Sequence, residues 1–471
     1  MPNVLDKQKN RKLFTGVLVY AIGDFGTKIL SFLIVPLYTY YISTSEMGIY
    51  DLLISTISLL APIITLQISD AAYRWLIQEE TPNMEYARGA LQVVIINCIL
   101  VSMIVLGINY FVTIQYYVYF VLILWCSQLF TTLQKIVRGI KNQRLFTEAS
   151  IFYTAIYLVM NVMQICILHE GITSLFTSSI IAYCSAIWYM GLREPRLQIK
   201  ICKRIDVVKI KEMVRFSVPL IPNQLNWWII NSADRYIVSF FLGVSSNGIL
   251  SIVHKFPTML QLLLGLFNTA WQDLSVADAE EDDGIYYTNV FRKFYKVSFT
   301  FLWIVVPFTK VFIDIVMSET YRVSANYVPF YYLGAIFQGF SSFYGVGYLK
   351  SKNTKSAFST SIYGAIVNAL VNILLIRFVG LYAASFSTFV GFLIMWIVRE
   401  IQNRNVLHIH IRKLEFIILM CCSIGVCMLS ILLNVKQNIV MFILGVGGFG
   451  IINSKDILTI LNVVIKKIKI N

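Results

Sequence analysis

Charged residues are scarce in this chain, and acidic residues are scarcer than basic ones. Asp, Glu, Lys and Arg make up 14% of the 471 residues, whereas 57% are hydrophobic. Soluble domains carry about 25% charged residues, so the composition excludes an ordinary soluble enzyme. Walker A, HExxH and nucleophile-elbow motifs are also missing. Their absence argues against ATP hydrolysis and peptidase chemistry.

The sequence has little that suits a metal site or a disulfide framework. No C-x-x-C spacing occurs, and every cysteine except Cys202 falls in an apolar stretch, where it serves as a small hydrophobic residue. His408 and His410 have no further ligand candidates nearby. The acidic run 278–283 lacks the ligand spacing and the glycine position of a calcium loop. We therefore expect no cofactor and no metal.

Long apolar stretches fill the chain instead. A helix needs a run of about 18 or more mostly apolar residues to cross the hydrocarbon, and the sequence contains about 14 such runs. The first run is too long for a cleaved signal peptide. The sequence thus predicts an all-α integral membrane protein. The predicted spans are 14–42, 48–78, 90–112, 114–134, 148–168, 173–192, 216–242, 248–271, 297–317, 326–349, 356–376, 381–398, 414–433 and 439–452.

Basic residues lie mostly on one side of the predicted membrane. Of the 39 Lys and Arg residues, 31 fall in the terminal segments and loops on the N-terminal side, and 3 fall in the opposite loops. This asymmetry is the positive-inside bias, which places both termini in the cytoplasm. The net charge of +14 therefore directs membrane insertion and does not indicate binding to nucleic acid.

The first twelve predicted helices form two similar halves in the same orientation. Gly48 and Gly248 close matching segments 200 positions apart. Two further matches are 211 positions apart, namely Lys141-Asn142 with Lys352-Asn353, and Asn161 with Asn372. Parallel repeats of this kind are typical of transporters, with the substrate path between the halves. We predict pseudo-two-fold symmetry between two six-helix lobes, followed by two additional helices.

The repeat and the charge pattern together predict four parts of the chain. These are an N-terminal lobe (1–192), a basic cytoplasmic linker (193–215), a C-terminal lobe (216–402), and two further membrane helices with a basic tail (403–471). Residues 199–211 alternate Ile or Val with Lys or Arg. Such alternation indicates an amphipathic segment that lies against anionic lipid headgroups.

Charged side chains at membrane depth are costly, so each is a candidate functional residue. Lys28, Arg74, Arg235 and Lys255 fall in corresponding spans of the two halves. Lysine offers a point charge and arginine a bidentate fork, and both suit a phosphate group. We predict that these four cations surround a substrate cavity.

Three acids in the same spans are candidates to bind a coupling proton or sodium ion: Asp24, Asp70 and Asp234. Asp24 and Lys28 are four residues apart on one helical face, and so are Asp70 and Arg74. The sequence leaves two interpretations open for these pairs. Either each pair neutralises itself and holds helices together, or its members bind ion and substrate.

The predicted span 216–242 is too polar to face lipid on all sides. It contains two prolines, an Asp-Arg pair and four amides. Polar side chains and irregular backbone are tolerated at this depth where they line water. Asn223, Asn226 and Asn231 are therefore predicted to line the cavity.

Two segments carry a resemblance to a known family. They are Leu37 to Asp51, and Ala233 to Lys255, which contains Asp-Arg-Tyr-Ile-Val-Ser-Phe-Phe-Leu-Gly. With the fourteen-span pattern, they resemble the multidrug/oligosaccharidyl-lipid/polysaccharide exporter superfamily, most of all its polysaccharide transporter branch of Wzx-type flippases for O-antigen and capsule units. The resemblance covers essentially the whole chain.

The resemblance implies a V-shaped fold of two lobes in the bacterial cytoplasmic membrane. It also implies a flippase that moves polyprenyl-pyrophosphate-linked oligosaccharide from the inner to the outer leaflet through a cationic lumen. The partners it implies are that lipid-linked oligosaccharide, membrane lipids, a coupling proton or sodium ion, and other polysaccharide assembly proteins. Lys28, Arg74, Arg235 and Lys255 are the cations that such a lumen requires.

Two other transport functions stay open at this point. A lipid II flippase for peptidoglycan shares the fourteen-span plan. A cation-coupled multidrug exporter usually has twelve spans and favours acids and aromatics in its cavity. A membrane-embedded polymerase or glycosyltransferase needs a large external loop or a cytosolic nucleotide-sugar domain, and the sequence contains neither. We therefore expect a transporter and not an enzyme.

Overall fold

The structure, a computed structural model, describes residues 28–29, 31–78, 82–197, 206–277, 284–454, 456 and 458. All regular secondary structure in these residues is helical. They form two compact units, residues 1–232 and 233–471, each described by itself below. The predicted bounds at 192 and 216 stay a prediction.

The described residues of the first unit include eight helices and the start of a ninth. They are α1 (Val35–Tyr41), α2 (Thr44–Ile64), α3 (Ile68–Gln78), α4 (Met84–Phe111), α5 (Tyr117–Gly139), α6 (Gln143–Val162, extended by a π-helical turn, Met163–Ile167), α7 (Thr173–Arg193), α8 (Val207–Ser217) and α9 (Ile221–Leu242). Short 3₁₀ turns, Pro195–Leu197 and Val218–Leu220, follow α7 and α8.

The described residues of the second unit include the rest of α9 and nine further helices. They are α10 (Val244–Val253), α11 (Lys255–Ala277), α12 (Gly284–Val316), α13 (Glu319–Arg322), α14 (Val328–Lys350), α15 (Thr354–Val379), α16 (Tyr382–Leu407), α17 (Lys413–Leu432) and α18 (Val435–Ile452). A 3₁₀ turn, Val323–Asn326, links α13 to α14.

The helices confirm a multi-pass membrane protein. Among the described residues, 11 helical stretches are long and apolar enough to cross a membrane. Two further predicted spans, 216–242 and 326–349, appear as α9 and α14, whose lengths of 22 and 23 residues suffice although their composition is more polar. Much of the first predicted span, 14–42, lies outside the described residues.

The predicted span 48–78 is divided into two helices. Leu66 and Gln67 have φ of 49° and 53°, in the left-handed region, which ends α2 and starts α3. The hydroxyl of Thr65 accepts a hydrogen bond from the backbone N–H of Gln67 (3.2 Å) and so satisfies a donor at the break. α3 is therefore a separate 11-residue helix, and it carries Asp70 and Arg74.

Two turns related by 211 positions have the same geometry. Lys141 and Lys352 have φ of 65° and 54°, and each is followed by an asparagine that caps the next helix. Asn142 accepts from the N–H of Leu145, and Asn353 accepts from the N–H of Ser356. The backbone conformation thus repeats where the sequence repeats, at the starts of α6 and α15.

The core of the second unit forms around α14. This helix is buried along nearly its whole length and packs against α11, α12, α16 and α17. Aromatic rings join the elements: Trp271 stacks on Phe343 with centroids 4.3 Å apart, and Trp396 stacks on Phe416 at 5.1 Å. Since α14 is enclosed by protein, its small and polar residues do not meet lipid.

The last helix packs closely on α12. A Cβ atom at Gly445 would lie 2.1 Å from the carbonyl oxygen of Trp303, so only glycine permits this approach. The amide of Asn453 also donates to the hydroxyl of Thr300 (2.9 Å). The two additional helices predicted from the sequence are therefore part of the second compact unit.

Candidate substrate and ion sites

Asp70 in the first unit is paired with a lysine of another helix. The Nζ of Lys135, on α5, donates to Oδ1 of Asp70 at 2.6 Å. The local pair between Asp70 and Arg74, one of the two interpretations above, does not form in this structure. Asp70 is neutralised across α3 and α5 instead, which frees Arg74 from a local acid.

Arg74 is exposed and stacks on aromatic rings. Its guanidinium carbon lies 4.3 Å from the ring centroid of Phe216 and 5.6 Å from that of Trp75. No ion pair of Arg74 is present among the described residues. A guanidinium carbon this close to a ring centroid makes a cation–π contact, and the N–H groups of an arginine bind phosphate oxygens.

The amides of α9 are placed at different depths. Asn223 and Asn231 are exposed, and their place in a cavity lining stays a prediction. Asn226 is 5% exposed, and its Nδ2 has no hydrogen-bond partner among the described residues. The indole of Trp228 donates to the carbonyl of Ser55 and the hydroxyl of Ser58, which fixes the first half of α9 against α2.

The remaining predicted pair of the first unit is only partly described. Asp24 and the acidic run 278–283 lie outside the described residues, so their predicted roles stay predictions. Lys28 is helical and half-buried. No group of three or more His, Cys, Asp or Glu side chains comes together in the described part of the chain.

In the second unit, Asp234 belongs to a buried cluster of three side chains. Its Oδ2 accepts a hydrogen bond from the hydroxyl of Tyr331 (2.7 Å) and lies 3.1 Å from Nε2 of His254. Asp234 is 4% exposed, and Oδ1 has no hydrogen-bond partner within the described residues. The cluster therefore places an imidazole and a phenol hydroxyl within hydrogen-bond distance of one carboxylate oxygen.

The two predicted cations of the second unit are neighbours of this cluster in the chain. Arg235 follows Asp234 on α9 and is half-buried, and Lys255 follows His254 and is exposed. The structure therefore brings Asp234 and His254 together, and each of them is followed in the chain by one of the predicted cations.

Arg399 is a buried cation that the sequence did not single out, because it directly follows the predicted span 381–398 and so falls among the basic residues of the predicted cytoplasmic side. It is 5% exposed on α16. Its guanidinium donates to the carbonyls of Ser341 (2.8 Å) and Ala357 (3.3 Å) and to the hydroxyls of Thr360 (3.1 Å) and Ser361 (3.0 Å). The paired hydroxyls Thr360 and Ser361 in an apolar span were the available signal. All these acceptors are neutral, so Arg399 links α14, α15 and α16 without an acid.

A family model and several solved structures match the chain. The model, described as "Polysaccharide biosynthesis protein", matches residues 13–272. No individually curated protein sequence matches closely.

Three solved structures with this fold are similar over most of the chain. Lipid II flippase MurJ, in an inward closed conformation, has a TM-score of 0.69 at 15% identity, covering 94% of this chain and 100% of that one. A multidrug resistance MATE family transporter of the MOP superfamily, in an outward-facing conformation, has a TM-score of 0.57 at 11% identity, covering 83% and 95%. A mutant of the Vibrio cholerae MATE transporter VcmN has a TM-score of 0.52 at 11% identity, covering 84% and 97%. These likenesses show that the chain has the same overall fold as these proteins.

Proposed function

The chain belongs to the polysaccharide biosynthesis protein family, and from this premise we propose that it is a flippase for polyprenyl-pyrophosphate-linked oligosaccharide. It moves repeat units from the inner to the outer leaflet of the bacterial cytoplasmic membrane by alternating access. The units serve the assembly of a surface polysaccharide such as O-antigen, capsule or exopolysaccharide. The protein transports its cargo and catalyses no bond change.

The observation that carries this proposal is the state of Arg74. A pyrophosphate headgroup cannot cross hydrocarbon uncovered, so a transporter must offer cations that are accessible and not neutralised. Arg74 is exposed, is stacked on Phe216 and makes no ion pair in the described part of the chain, because Asp70 is taken by Lys135. Such a group suits an anionic cargo better than a cationic drug.

Other predicted residues have supporting roles in this proposal. Lys28 in the first unit, and Arg235 and Lys255 in the second, supply further positive charge along the route of the headgroup. The exposed amides of Asn223 and Asn231 offer donors and acceptors to sugar hydroxyls. Asn226 is buried, so an opening of the surrounding helices would be needed before it reaches the cargo.

We further propose that transport is coupled to a proton at the cluster of Asp234, His254 and Tyr331. The buried carboxylate has one oxygen held by Tyr331 and faced by His254, and one oxygen without a partner among the described residues. Gain or loss of a proton there changes the hydrogen bonding between α9, α10 and α14. Asp70, being paired with Lys135, is the weaker candidate, and Asp24 remains a candidate from the sequence.

Transbilayer movement in proteoliposomes tests the proposal. Vesicles containing the protein receive a fluorescent polyprenyl-pyrophosphate oligosaccharide, with lipid II as a second lipid and a cationic dye as a third cargo. Movement of the oligosaccharide lipid without dye export is the expected result. Dye export alone would assign the protein to multidrug transport.

Lipid II is included because the MurJ-like fold favours a second candidate function. The fold of this chain matches the whole length of the lipid II flippase MurJ with a TM-score of 0.69. Faster movement of lipid II than of the oligosaccharide lipid would replace a surface-polysaccharide cargo with the peptidoglycan precursor.

The role of Arg74 is tested in the same vesicles. Equal rates of lipid movement for Arg74→Ala and wild type would contradict a pyrophosphate-binding role of Arg74.

A further inference from the structure

Helix α8, which lies between the predicted lobes in the sequence, packs its apolar face on the first unit. Asp206 caps its first turn, and it contacts α3 and α4. Ile210 and Met213 meet α4 at Gly89, where an added Cβ would lie 3.1 Å from atoms of both side chains. Of the predicted amphipathic segment 199–211, only residues 206–211 are described, and its contact with lipid headgroups stays a prediction. Helix α8 is a structural part of the first unit.

The last turn of α8 brings Phe216 to Arg74. The ring of Phe216 meets Trp75 edge-on, with centroids 5.5 Å apart and planes at 79°, and the guanidinium of Arg74 lies 4.3 Å from its centroid. Trp75 in turn lies 5.9 Å from Tyr86 on α4. Rings from three helices thus fix the surface on which Arg74 rests.

The other end of α8 is also held to the first unit. Lys209 forms an ion pair with Glu85 and lies over the ring of Tyr86, with Nζ 5.6 Å from the centroid. Because α8 is attached to the first unit at both ends, its backbone fixes the position of Phe216. Past Phe216 and Ser217, the 3₁₀ turn Val218–Leu220 leads into α9.

We propose that Phe216 is a positioning residue for anion binding, an inference that rests on the proposed function. Its ring holds the Arg74 guanidinium carbon 4.3 Å from the ring centroid, so the side chain is already restrained and binds a pyrophosphate without a further loss of side-chain freedom. An anion bound at Arg74 is consequently linked to the position of α8 and of the turn that begins α9. The coupling is reciprocal: the factor by which a bound anion favours this position of α8 equals the factor by which this position of α8 strengthens anion binding.

Binding of inorganic pyrophosphate to the full-length protein in detergent tests this role apart from transport. Phe216→Leu keeps an apolar side chain but removes the ring. We expect its Kd for pyrophosphate to rise about two- to five-fold, with a matching rise in the KM for lipid movement and an unchanged kcat. Phe216→Tyr restores both values. Phe111→Leu, which changes an exposed ring that contacts Tyr110, is the matched control and leaves both values as in wild type.

A double substitution separates positioning from a loss of packing. In an Arg74→Ala background, Phe216→Leu should cause no further change in Kd, because the ring has no guanidinium left to hold. An equal change with and without Arg74 would overturn the assignment, as would failure of Phe216→Tyr to restore binding. If wild type binds pyrophosphate with this pattern but moves no lipid-linked cargo, the proposed function fails and the role of Phe216 stands. If wild type moves the cargo and Phe216→Leu binds pyrophosphate as wild type does, the proposed function stands and the role of Phe216 fails.

Discussion

At the scale of single residues, Arg399 shows how a membrane helix keeps a cation without an acid. A buried charge is costly unless hydrogen bonds satisfy it, and here two carbonyls and two hydroxyls do so. The fork of a guanidinium reaches acceptors on α14 and α15 at once, which the single ammonium of a lysine cannot do.

The first prediction follows from this geometry. Arg399→Lys keeps the charge but loses most of these bonds, so the free energy of unfolding should fall by about 1–3 kcal/mol. Unfolding of the purified protein by SDS titration measures the change. Arg404→Lys on the exposed side of the same helix is the control, with an expected change within about 0.5 kcal/mol. Equal effects of the two substitutions would contradict a special role for Arg399.

The second prediction concerns Asp234. Asp234→Asn keeps the size of the side chain but cannot take up a proton, so lipid movement should lose its dependence on an imposed pH gradient and retain movement down a cargo gradient. His254→Gln should weaken the same dependence, since it removes the ring nitrogen that faces Oδ2 of Asp234. Transport assays in proteoliposomes at several pH values check this. Asp314→Asn, at the pair with Lys310, is the control, and a gradient response kept in Asp234→Asn would refute proton coupling there.

At the scale of helices and turns, Glu194 ties the end of α7 to the start of α6. It accepts hydrogen bonds from Arg196 (2.7 and 3.0 Å) and from the amide of Asn142 (3.0 Å). The hydrogen bonds from Arg196 are the main cause that lowers the pKa of the Glu194 carboxyl below its usual value. The ionised form is therefore favoured in the folded protein.

The third prediction is the pH dependence that results. A carboxyl with a lowered folded pKa adds stability above its unfolded pKa, about 4.3, and this stability is lost as the pH falls through the folded value. Glu194→Gln should therefore lower stability at neutral pH and flatten its decline in acid. Thermal unfolding of both proteins across that range measures the effect. Parallel curves for the two proteins would show that Glu194 is not the group concerned.

The fourth prediction uses the two repeated turns. Lys141 and Lys352 adopt left-handed conformations that cost an L-residue about 1–2 kcal/mol, and glycine avoids that cost but loses more chain entropy on folding. Lys141→Gly and Lys352→Gly should each raise the free energy of unfolding by about 0.5 kcal/mol. Asn353→Ala should lower it by about 1 kcal/mol through loss of a cap. Asn142→Ala should lower it by more, because it also removes the hydrogen bond to Glu194. SDS titration compares the four variants, and unlike responses at Lys141 and Lys352 would contradict the structural repeat.

The sequence predicted helices better than it predicted the partners of their side chains. Apolar runs follow directly from the need to satisfy backbone groups in lipid, so nearly every predicted span has a counterpart helix. The break at Leu66 and Gln67 left no such signal, because neither residue is a glycine or a proline. The partners of Asp70 and Arg74 lie on α5 and α8, and a pattern within one helix carries no information about residues 65 or 142 positions away. The same holds for Tyr331 beside Asp234.

At the scale of the whole molecule, the distribution of positive charge makes the fifth prediction, which concerns topology. With both termini cytoplasmic, Lys436 in the first turn of α18 lies outside and Arg412 before α17 lies inside. In a variant whose native cysteines are replaced, Lys436→Cys should react with an impermeant thiol reagent in intact cells. Arg412→Cys should react only after permeabilisation. The opposite labelling pattern would invert the whole topology.

The enclosed position of α14 affects how the protein is made. A ribosome-bound translocon releases a segment into lipid by its own apolarity, and α14 and α9 fall short of the apolarity of the other membrane helices. These two helices therefore enter the bilayer together with neighbours already synthesised, or with those that follow. Biosynthesis of the second unit is complete only when α16 and α17 have emerged to enclose α14, so truncation before them should leave a nascent chain that quality-control proteases degrade.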